Sequence, residues 1–427
     1  MKGQLDIKSE KELVYTVNRS KLEGEVTISG AKNSSLRLLA ASILTDKKLK
    51  LTNYPESLRD AVIHVEMLKK LGKECLVSEN EIEISQNRKL ETVLEWDQRS
   101  IRNTLLILGG LLTKYGEGGV PLPGGCKLGE RKYDIHVMIF EQLGAKVWED
   151  ETHLYAKSND RLVGTDIHLP MRSTGATENA IICGTLARGT TTVWNPHIRP
   201  EILDLIKMLN SMGAKIQVFG QERIVINGVE NLGATTHSVL PDNMEALTWL
   251  IAATVTGGDI TINEFPFEHL EVPLIFLRES GALFYRNGNS VVVRGGTPFP
   301  IEISTGPYPG INSDMQPIMA LFGAVSNGET KIIDLRFPGR YVYMEELKKM
   351  GVKYRIEGNL LVINGGNKIK GAKVRATDLR AGAALLIAGM IAEGETIIYD
   401  AWQIERGYNH MISKLELLGA NVSAKVL

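Results

Sequence analysis

Two loops rich in glycine and basic residues have the residue types and spacing needed for chemistry on an anion. In the first, ISGAKNSSLRLLAAS, a strand ends at Gly30 and a helix begins near Ser34, with Lys32 at its start. Free backbone N–H groups at a helix N-terminus and a lysine ammonium both attract anions. The loop therefore predicts a phosphate or carboxylate site, although simple capping of the helix by Asn33 or Ser34 would use the same residues.

The second loop, GVPLPGGCKLGERKYDIH, places Cys126 beside Lys127 and near Arg131. Neighbouring cations lower the pKa of a thiol, so Cys126 is predicted to act as a nucleophile or proton donor. The alternative is that it is inert, as most lone cysteines are. The other two cysteines, Cys75 and Cys183, lie in apolar segments typical of the core. Three cysteines without ligand spacing predict neither disulfides nor a metal site.

The second half of the chain places charged residues in loops that precede helices. They are Asp314 in YPGINSDMQ, Arg340 in RFPGRYVYM, Asp378 and Arg380 in ATDLRA, and Arg406 in IERGY. If these loops are equivalent points of a repeated unit, their side chains would project towards one rim and form a polyanion site with one carboxylate base. Helix capping by the two aspartates is the alternative.

A repeated pattern does run through the chain: an apolar helix, a glycine, then a strand of alternating residues. It recurs at six glycines about 70 residues apart: Gly72, Gly144, Gly213, Gly281, Gly351 and Gly419. Most copies also contain a second helix rich in Ala and Leu that runs through glycine into a Thr/Ile/Val strand. The fold class predicted is mixed α/β (α+β), built of six units.

Six units divide most simply into two lobes of three, with the active site in the cleft between them. We predict a first lobe of residues 32–240, containing the cysteine loop, and a second lobe of residues 1–31 plus 241–427. An extended solenoid is the alternative, but solenoid repeats are usually shorter, roughly 20–50 residues.

The composition excludes several classes of function. The chain has 427 residues with 49 Lys and Arg against 50 Asp and Glu, so no overall charge attracts nucleic acid or an anionic membrane. Neither a signal sequence nor an apolar run of about 20 residues is evident. We predict a cytoplasmic protein whose partners are small molecules, and the oligomeric state stays open.

Six segments, taken in order over almost the whole chain, resemble the enolpyruvyl transferase family: GAKN, LPGGCKLGER, STGATEN, SDMQ, ATDLRA and IERGY. The resemblance implies a two-lobed inverse α/β barrel with three units in each lobe. It also implies transfer of the 1-carboxyvinyl group of phosphoenolpyruvate to a hydroxyl of UDP-N-acetylglucosamine, for peptidoglycan synthesis. The reaction is addition followed by elimination of phosphate, and neither a metal nor a cofactor is expected.

The resemblance also assigns roles to residues. The phosphoenolpyruvate site is expected to contain Lys32, Arg102, Arg131, Arg340, Asp378, Arg380 and Arg406. The acceptor site is expected to contain Asn33, Arg131, Asp134, Ser173, Thr174, Gly175 and Asp314. Asp314 would remove the proton of the acceptor hydroxyl, and Cys126 would handle the enolpyruvyl group and react with the epoxide fosfomycin. Lys32 and Arg406 complete the expected catalytic set.

The chain also departs from the family pattern. Pro338 and Gly339 precede Arg340 where relatives usually have Glu-Asn, and Met171 stands where a relative can have a lysine facing the diphosphate. The second hypothesis for the function is therefore a diverged paralogue that acts on another nucleotide, such as UMP in nucleoside-antibiotic synthesis. Shikimate 3-phosphate as acceptor, and a non-catalytic binding protein, rank lower.

Overall fold

The chain folds into two compact units. The computed structural model describes residues 13–98, 101–122 and 133–427. Unit 1 comprises Gly30–Glu56 and Asp60–Leu240, and unit 2 comprises Ser57–Arg59, Pro241–Leu427 and the described part of Ser9–Ser29. The first strands of the chain thus belong to the same unit as its C-terminal half. The loop with Cys126 and Arg131 lies outside the described residues.

Strands of three to five residues account for the β-structure. In chain order they are β1 (Leu13–Val17), β2 (Glu23–Thr27), β3 (Leu49–Thr52), β4 (Glu74–Ser78), β5 (Glu81–Ser85), β6 (Glu117–Pro121), β7 (Lys146–Glu149), β8 (His153–Lys157), β9 (Asp166–His168), β10 (Thr190–Trp194), β11 (Lys215–Phe219), β12 (Arg223–Asn227), β13 (Thr235–Ser238), β14 (Asp259–Asn263), β15 (Leu283–Asn287), β16 (Ser290–Arg294), β17 (Glu302–Ser304), β18 (Glu329–Ile333), β19 (Lys353–Glu357), β20 (Leu360–Asn364), β21 (Lys373–Arg375), β22 (Thr396–Tyr399) and β23 (Val422–Val426).

Helices connect these strands. They are α1 (Lys32–Ala41), α2 (Arg59–Leu71), α3 (Thr104–Tyr115), α4 (Asp134–Gln142), α5 (Thr174–Thr185), α6 (Pro200–Ser211), α7 (Asn243–Thr256), α8 (Glu271–Glu279), α9 (Gln316–Val325), α10 (Tyr343–Lys349), α11 (Leu379–Ile391), α12 (Trp402–Glu405) and α13 (Met411–Leu417), with short 3₁₀ turns at Ser42–Leu44, Phe267–His269 and Ser313–Met315. Among the described residues, no helix is long and apolar enough to cross a membrane.

The described strands form three sheets in each unit. Unit 1 contains the sheets β13-β3-β5-β4, β11-β12-β10-β9 and β6-β8-β7, and unit 2 contains β15-β16-β14-β2, β17-β18-β20-β19 and β21-β22-β1-β23. Each four-stranded sheet joins one parallel pair to antiparallel neighbours, as β18 does with β17 and β20. Side chains alternate between the two faces, so that Val291 and Val293 of β16 are buried and Arg294 is exposed. One face of each such strand therefore faces the core.

Buried helices form the centre of each unit, and those of unit 2 are apolar on almost all sides. In unit 2, α7, α9 and α11 pack on one another and contact the strands β14, β18 and β22. Trp249 and Phe322 are completely buried there. In unit 1, α3 packs against both α1 and α5, and α6 also packs against α1 and α5. A helix that is hydrophobic all round must be covered on every face, and sheets outside these helices provide the cover.

Glycine ends the helix before each of six strands, and the backbone conformation explains why. Their φ angles are positive: 113° at Gly72, 98° at Gly144, 104° at Gly213, 86° at Gly281, 97° at Gly351 and 78° at Gly419. Residues with a Cβ adopt this left-handed conformation rarely, whereas glycine adopts it freely. The left-handed helix ends predicted from the sequence are therefore present.

Candidate functional site

Asp314 lies in unit 2, in the short turn Ser313–Met315 that leads into α9. The side chain that caps this turn is Asn312, whose Oδ1 accepts a hydrogen bond from the backbone N–H of Asp314 at 3.0 Å. The capping alternative for Asp314 is therefore wrong, and its partly exposed carboxylate makes other contacts. Arg340 Nη1 donates to Asp314 Oδ1 at 3.0 Å, and Arg380 Nε lies 3.6 Å from Oδ2.

Asp378 does cap a helix, as the alternative proposed. Its Oδ1 accepts hydrogen bonds from the backbone N–H groups of Arg380 at 2.8 Å and Ala381 at 3.0 Å, at the start of α11. The other carboxylate oxygen lies 3.5 Å from Arg340 Nη2. Asp378 therefore orients the first turn of α11 and places a second negative charge beside Arg340.

Arg340 and Arg380 are both buried, with 8% and 2% of their surfaces exposed. Burial lowers the pKa of Arg340, but Asp314 and Asp378 outweigh it and hold the pKa above its usual value. The pKa of Arg380 is also raised, because Tyr408 and Asp314 outweigh the opposing effect of burial. Both guanidinium groups therefore stay charged inside unit 2.

The two guanidinium groups also have unused hydrogen-bond donors. Arg340 Nε and Nη2 and Arg380 Nε and Nη1 are buried without a hydrogen-bond acceptor among the described residues. The nearby carboxylates of Asp314 and Asp378, at 3.6 and 3.5 Å, form ion pairs but not hydrogen bonds with these nitrogens. Buried donors are seldom left unpaired, and guanidinium groups suit carboxylate and phosphate oxygens. This arrangement is suited to an anionic ligand.

Arg406 and Tyr408 follow α12 in the same unit. Arg406 is buried and its Nη1 donates to Gln403 Oε1 at 2.9 Å. The ring of Tyr408 lies 5.2 Å from the guanidinium carbon of Arg380, and its hydroxyl is 3.0 Å from Thr248 Oγ1. The segment IERGY thus supplies a buried cation and an aromatic support for Arg380.

Lys32, the first residue of α1, lies in unit 1. Its Nζ is 2.8 Å from Asp60 Oδ2, and the two side chains are 10% and 5% exposed. Ala31 is the N-cap, and no side chain caps the helix there. The capping alternative for Asn33 or Ser34 is therefore wrong, and the ammonium of Lys32 is paired with a buried carboxylate.

Arg102 and Asp134 lie near two other helix starts of unit 1. Arg102 is partly buried, two residues before α3, and Asp134 is the exposed first residue of α4. Burial, with a smaller effect of Arg102, lowers the pKa of His136 to about 3. His136 Nδ1 lies 2.8 Å from Asn179 Nδ2. With this lowered pKa, the buried imidazole is neutral at neutral pH.

The segment STGATEN forms the start of α5. Ser173 caps the helix by accepting a hydrogen bond from the backbone of Ala176, and Thr174 Oγ1 is 2.9 Å from His197 Nδ1. A Cβ on Gly175 would lie 3.1 Å from the imidazole of His136. Glycine therefore allows the close approach of α5 to His136, and the three partly exposed residues leave a helix N-terminus able to bind an anion.

Several partners of these residues were not predicted. Asp60 is one, and Arg37 is another: it donates to the backbone carbonyl of Asn33 and pairs with the buried Glu178 of STGATEN. A signal for Asp60 does exist in the sequence, because Asp60 and His64 are polar residues on the buried face of the amphipathic helix α2. Among the residues that the structure describes, no cluster of His, Cys, Asp and Glu could ligate a metal ion.

Comparison with known proteins identifies the family. Residues 17–415 match the profile described as EPSP synthase (3-phosphoshikimate 1-carboxyvinyltransferase). The UDP-N-acetylglucosamine 1-carboxyvinyltransferase of Actinobacillus succinogenes is 40% identical over 417 residues, which are 97% of this chain and 99% of that protein. A protein of the same name numbered 1, from Carboxydothermus hydrogenoformans, is 40% identical over 413 residues, 96% of this chain and 98% of the relative.

Solved structures show the same fold. The enolpyruvyl transferase NikO from Streptomyces tendae superposes with a TM-score of 0.88 at 22% identity, over 98% of this chain and 100% of that one. EPSP synthase from Acinetobacter baumannii superposes with a TM-score of 0.70 at 17% identity, over 97% of this chain and 100% of that one. The resemblance inferred from the motifs is thus confirmed. With a profile match over most of its length and relatives at 40% identity, the chain belongs to the EPSP synthase family of enolpyruvyl transferases.

Proposed function

We propose that the chain transfers the 1-carboxyvinyl group of phosphoenolpyruvate to a hydroxyl of UDP-N-acetylglucosamine and releases phosphate. The observation that carries the proposal is the pair of buried guanidinium groups, Arg340 and Arg380, with unused donors beside the carboxylate of Asp314. Such a pair suits a small, multiply charged donor. The acceptor follows from the names of relatives that are 40% identical over nearly the whole chain.

The proposed reaction uses one base and one acid. Asp314 accepts the proton of the acceptor hydroxyl as that oxygen attacks C2 of phosphoenolpyruvate, and C3 takes a proton from the thiol of Cys126. The resulting tetrahedral intermediate returns a proton from C3 to the thiolate of Cys126, the bond between C2 and the phosphate oxygen breaks, and the double bond returns. The departing phosphate takes up the proton that Asp314 received. Arg340 and Arg380 would balance the charge of the donor throughout.

The remaining site residues are part of the same proposal. For the donor we assign Lys32, Arg102, Arg131, Arg340, Asp378, Arg380 and Arg406, and for the acceptor Asn33, Arg131, Asp134, Ser173, Thr174, Gly175 and Asp314. The three positions of the STG segment are supported by their place at the N-terminus of α5, since a helix start suits a diphosphate. Asp134 is supported by its exposure at the start of α4.

We propose further that the fold is the two-lobed inverse α/β barrel of six units. Three described sheets in each unit, and a left-handed glycine before one strand of every sheet, support it. The lobe boundaries at residues 32–240 and at 1–31 with 241–427, the active-site cleft and the cytoplasmic location stay predictions from the sequence.

Phosphate release in the presence of phosphoenolpyruvate and a panel of acceptors tests this function. The panel contains UDP-N-acetylglucosamine, UMP, other nucleotides and shikimate 3-phosphate. We expect turnover with UDP-N-acetylglucosamine. Turnover with UMP but not with the amino sugar would favour the diverged paralogue, to which Met171 in place of a lysine points. Binding of phosphoenolpyruvate without release of phosphate from any pair would favour a non-catalytic protein.

The assignment of Cys126 has a separate test. Incubation with fosfomycin and the acceptor should give a single covalent adduct on Cys126, identified by mass spectrometry. The chain contains two internal controls, since burial raises the pKa of Cys75 to about 11 and that of Cys183 to about 12. Neither thiol forms an appreciable amount of thiolate at neutral pH. An unmodified Cys126 under these conditions would contradict its role.

A further inference from the structure

Asp334 is a completely buried carboxylate of unit 2 that the proposed mechanism does not use. It lies just after β18, and its donors include the hydroxyl of Thr305 at 2.8 Å, the hydroxyl of Ser313, and the backbone N–H groups of Arg336 at 2.9 Å and Phe337 at 2.8 Å. A buried carboxylate without such partners would be strongly unfavourable. These bonds explain how the group is tolerated.

The two oxygens of Asp334 bind different segments. Oδ1 accepts from the backbone of the loop that leads to Arg340, an arrangement in which an aspartate side chain closes a turn. Oδ2 accepts from Ser313, the residue immediately before Asp314. One side chain therefore joins the turn that carries the proposed base to the loop that carries one of the donor-site arginines.

Ser313 is held from the other side as well. Arg340 Nη1 is 3.2 Å from the carbonyl oxygen of Ser313, 3.3 Å from its hydroxyl oxygen and 3.0 Å from Asp314 Oδ1. Asp334, Ser313 and Arg340 thus form a chain of hydrogen bonds that ends at the carboxylate of Asp314. Loss of the hydrogen bond between Asp334 and Ser313 should therefore shift the carboxylate of Asp314, the proposed base.

The loop has independent supports that do not pass through Ser313. The backbone N–H of Asp334 donates to the hydroxyl of Tyr341 at 3.0 Å, and that hydroxyl donates to the carbonyl of Asn359 at 2.8 Å. Thr305 binds Asp334 Oδ1 and also accepts from the backbone N–H of Leu335. Loss of the Thr305 bond should therefore weaken the loop without moving Asp314 directly.

We propose that Asp334 is a positioning residue, which acts through Ser313 to hold the carboxylate of Asp314 against Arg340 in the orientation that the proton transfer needs. The inference rests on the proposed function, in which Asp314 is the base. Its physical basis is that a displacement of about 1 Å in a reacting group can cost about 10²-fold in rate.

Two substitutions that each remove one hydrogen bond to Asp334 provide the test. Ser313→Ala breaks the chain to Asp314, and Thr305→Val breaks the bond on the opposite side. We expect Ser313→Ala to lower kcat by up to about 10²-fold with a small change in KM for phosphoenolpyruvate. Thr305→Val should keep kcat near the wild-type value, although both variants lower Tm. Ser313→Thr, which retains the hydroxyl, should restore kcat.

Asp334→Asn completes the set, because it keeps the shape of the side chain but replaces one acceptor with a donor. It should lower kcat as Ser313→Ala does. If kcat falls in both Ser313→Ala and Thr305→Val, and in each variant in proportion to the fall in its Tm, the role of Asp334 is purely structural and the proposal is overturned. An active wild-type enzyme with an unaffected Ser313→Ala variant would refute the positioning role alone. An inactive wild-type protein would refute the proposed function and this inference together.

Discussion

The two units hold their cationic groups in different ways. In unit 1, the ammonium of Lys32 is 2.8 Å from one buried carboxylate, that of Asp60. In unit 2, Arg340 and Arg380 lie beside two carboxylates, Asp314 and Asp378, and still have buried nitrogens without an acceptor among the described residues. The charges balance in both places, but spare hydrogen-bond donors are found at the arginines.

The difference follows from the chemistry of the side chains. A guanidinium group has five N–H donors in a rigid plane, so two carboxylates cannot use all the donors of two arginines. Their charge is compensated, which makes burial tolerable, while the remaining donors can bind an anion. A lysine is a compact charge that one carboxylate can engage closely. We infer that the arginines of unit 2 can make directional contacts with an anion, whereas Lys32 offers a compact charge paired with Asp60.

The largest expected effect is that of Asp314→Asn. The amide keeps the shape of the side chain but cannot accept a proton at neutral pH, so kcat should fall by about 10² to 10⁴-fold. Donor binding, measured by calorimetry with phosphoenolpyruvate, should persist because the guanidinium groups remain. Asp400→Asn, at a carboxylate that pairs with Arg375 near the surface, is the control and should leave kcat unchanged. Near-normal turnover by Asp314→Asn would assign the base elsewhere.

Asp60→Asn tests the buried ion pair that Lys32 forms in unit 1. Removing one partner of a buried ion pair typically destabilises a protein by about 3–5 kcal/mol, because the other charge stays buried with less compensation. If Lys32 contacts phosphoenolpyruvate, the donor would replace the missing negative charge. The increase in Tm on adding phosphoenolpyruvate should therefore be greater in Asp60→Asn than in the wild type.

The matched control for this experiment is Lys32→Ala combined with Asp60→Asn. The double variant has no buried ammonium at this position, so phosphoenolpyruvate should give it little extra stabilisation. If the donor raises the Tm of Asp60→Asn and of the double variant equally, Lys32 does not bind the donor.

Acid should affect unit 1 before unit 2. Burial lowers the pKa of His64 and of His136, both in unit 1, to about 3, whereas an unfolded chain binds a proton near 6.5. The unfolded state therefore binds more protons, and the stability present above pH 6.5 is lost as the pH falls towards 3. Between these two pH values, the free energy of unfolding should fall by about 1.4 kcal/mol per pH unit for each histidine.

Hydrogen exchange between pH 7 and pH 4 would measure this effect in each unit separately. Amides of α3 and α5 should lose protection at a higher pH than those of α9 and α11. His136→Gln should reduce the slope of the unfolding free energy against pH, because it removes one buried imidazole. Simultaneous loss of protection in both units would show that they unfold together on acidification.

Local features of the fold could be predicted from the sequence, because they depend on neighbouring residues. The glycines after apolar helices have the left-handed conformation that the pattern indicated, and the segments rich in Ala and Leu are the buried helices α7, α9 and α11. The capping of α11 by Asp378 was a correct alternative. At Asp314 and α1 the capping alternatives were wrong, since a neighbouring Asn312 or the backbone of Ala31 occupies the N-cap.

The sequence predicted that Arg340 and Arg380 would lie near Asp314 and Asp378, but not the other partners, which are distant in sequence. Lys32 meets Asp60, Ser313 meets Asp334, and Arg37 meets Glu178 only after the chain has folded. Asp60 and Glu178 are carboxylates on the buried faces of helices, which is the one signal the sequence offers, whereas Asp334 lies in a loop followed by exposed residues. An acidic residue in a mainly apolar element indicates a buried cation or hydroxyl nearby, but it does not indicate which one.

Arg380→Lys should have a smaller effect than the substitutions above. The substitution keeps the positive charge beside Asp314 but reduces five planar donors to three. If the spare guanidinium donors bind phosphoenolpyruvate, KM for the donor should rise about tenfold, the equivalent of about 1.4 kcal/mol and close to one lost hydrogen bond to a charged group. Arg375→Lys, at the surface pair with Asp400, is the control. An unchanged KM in Arg380→Lys would mean that charge alone, as at Lys32, suffices in both units.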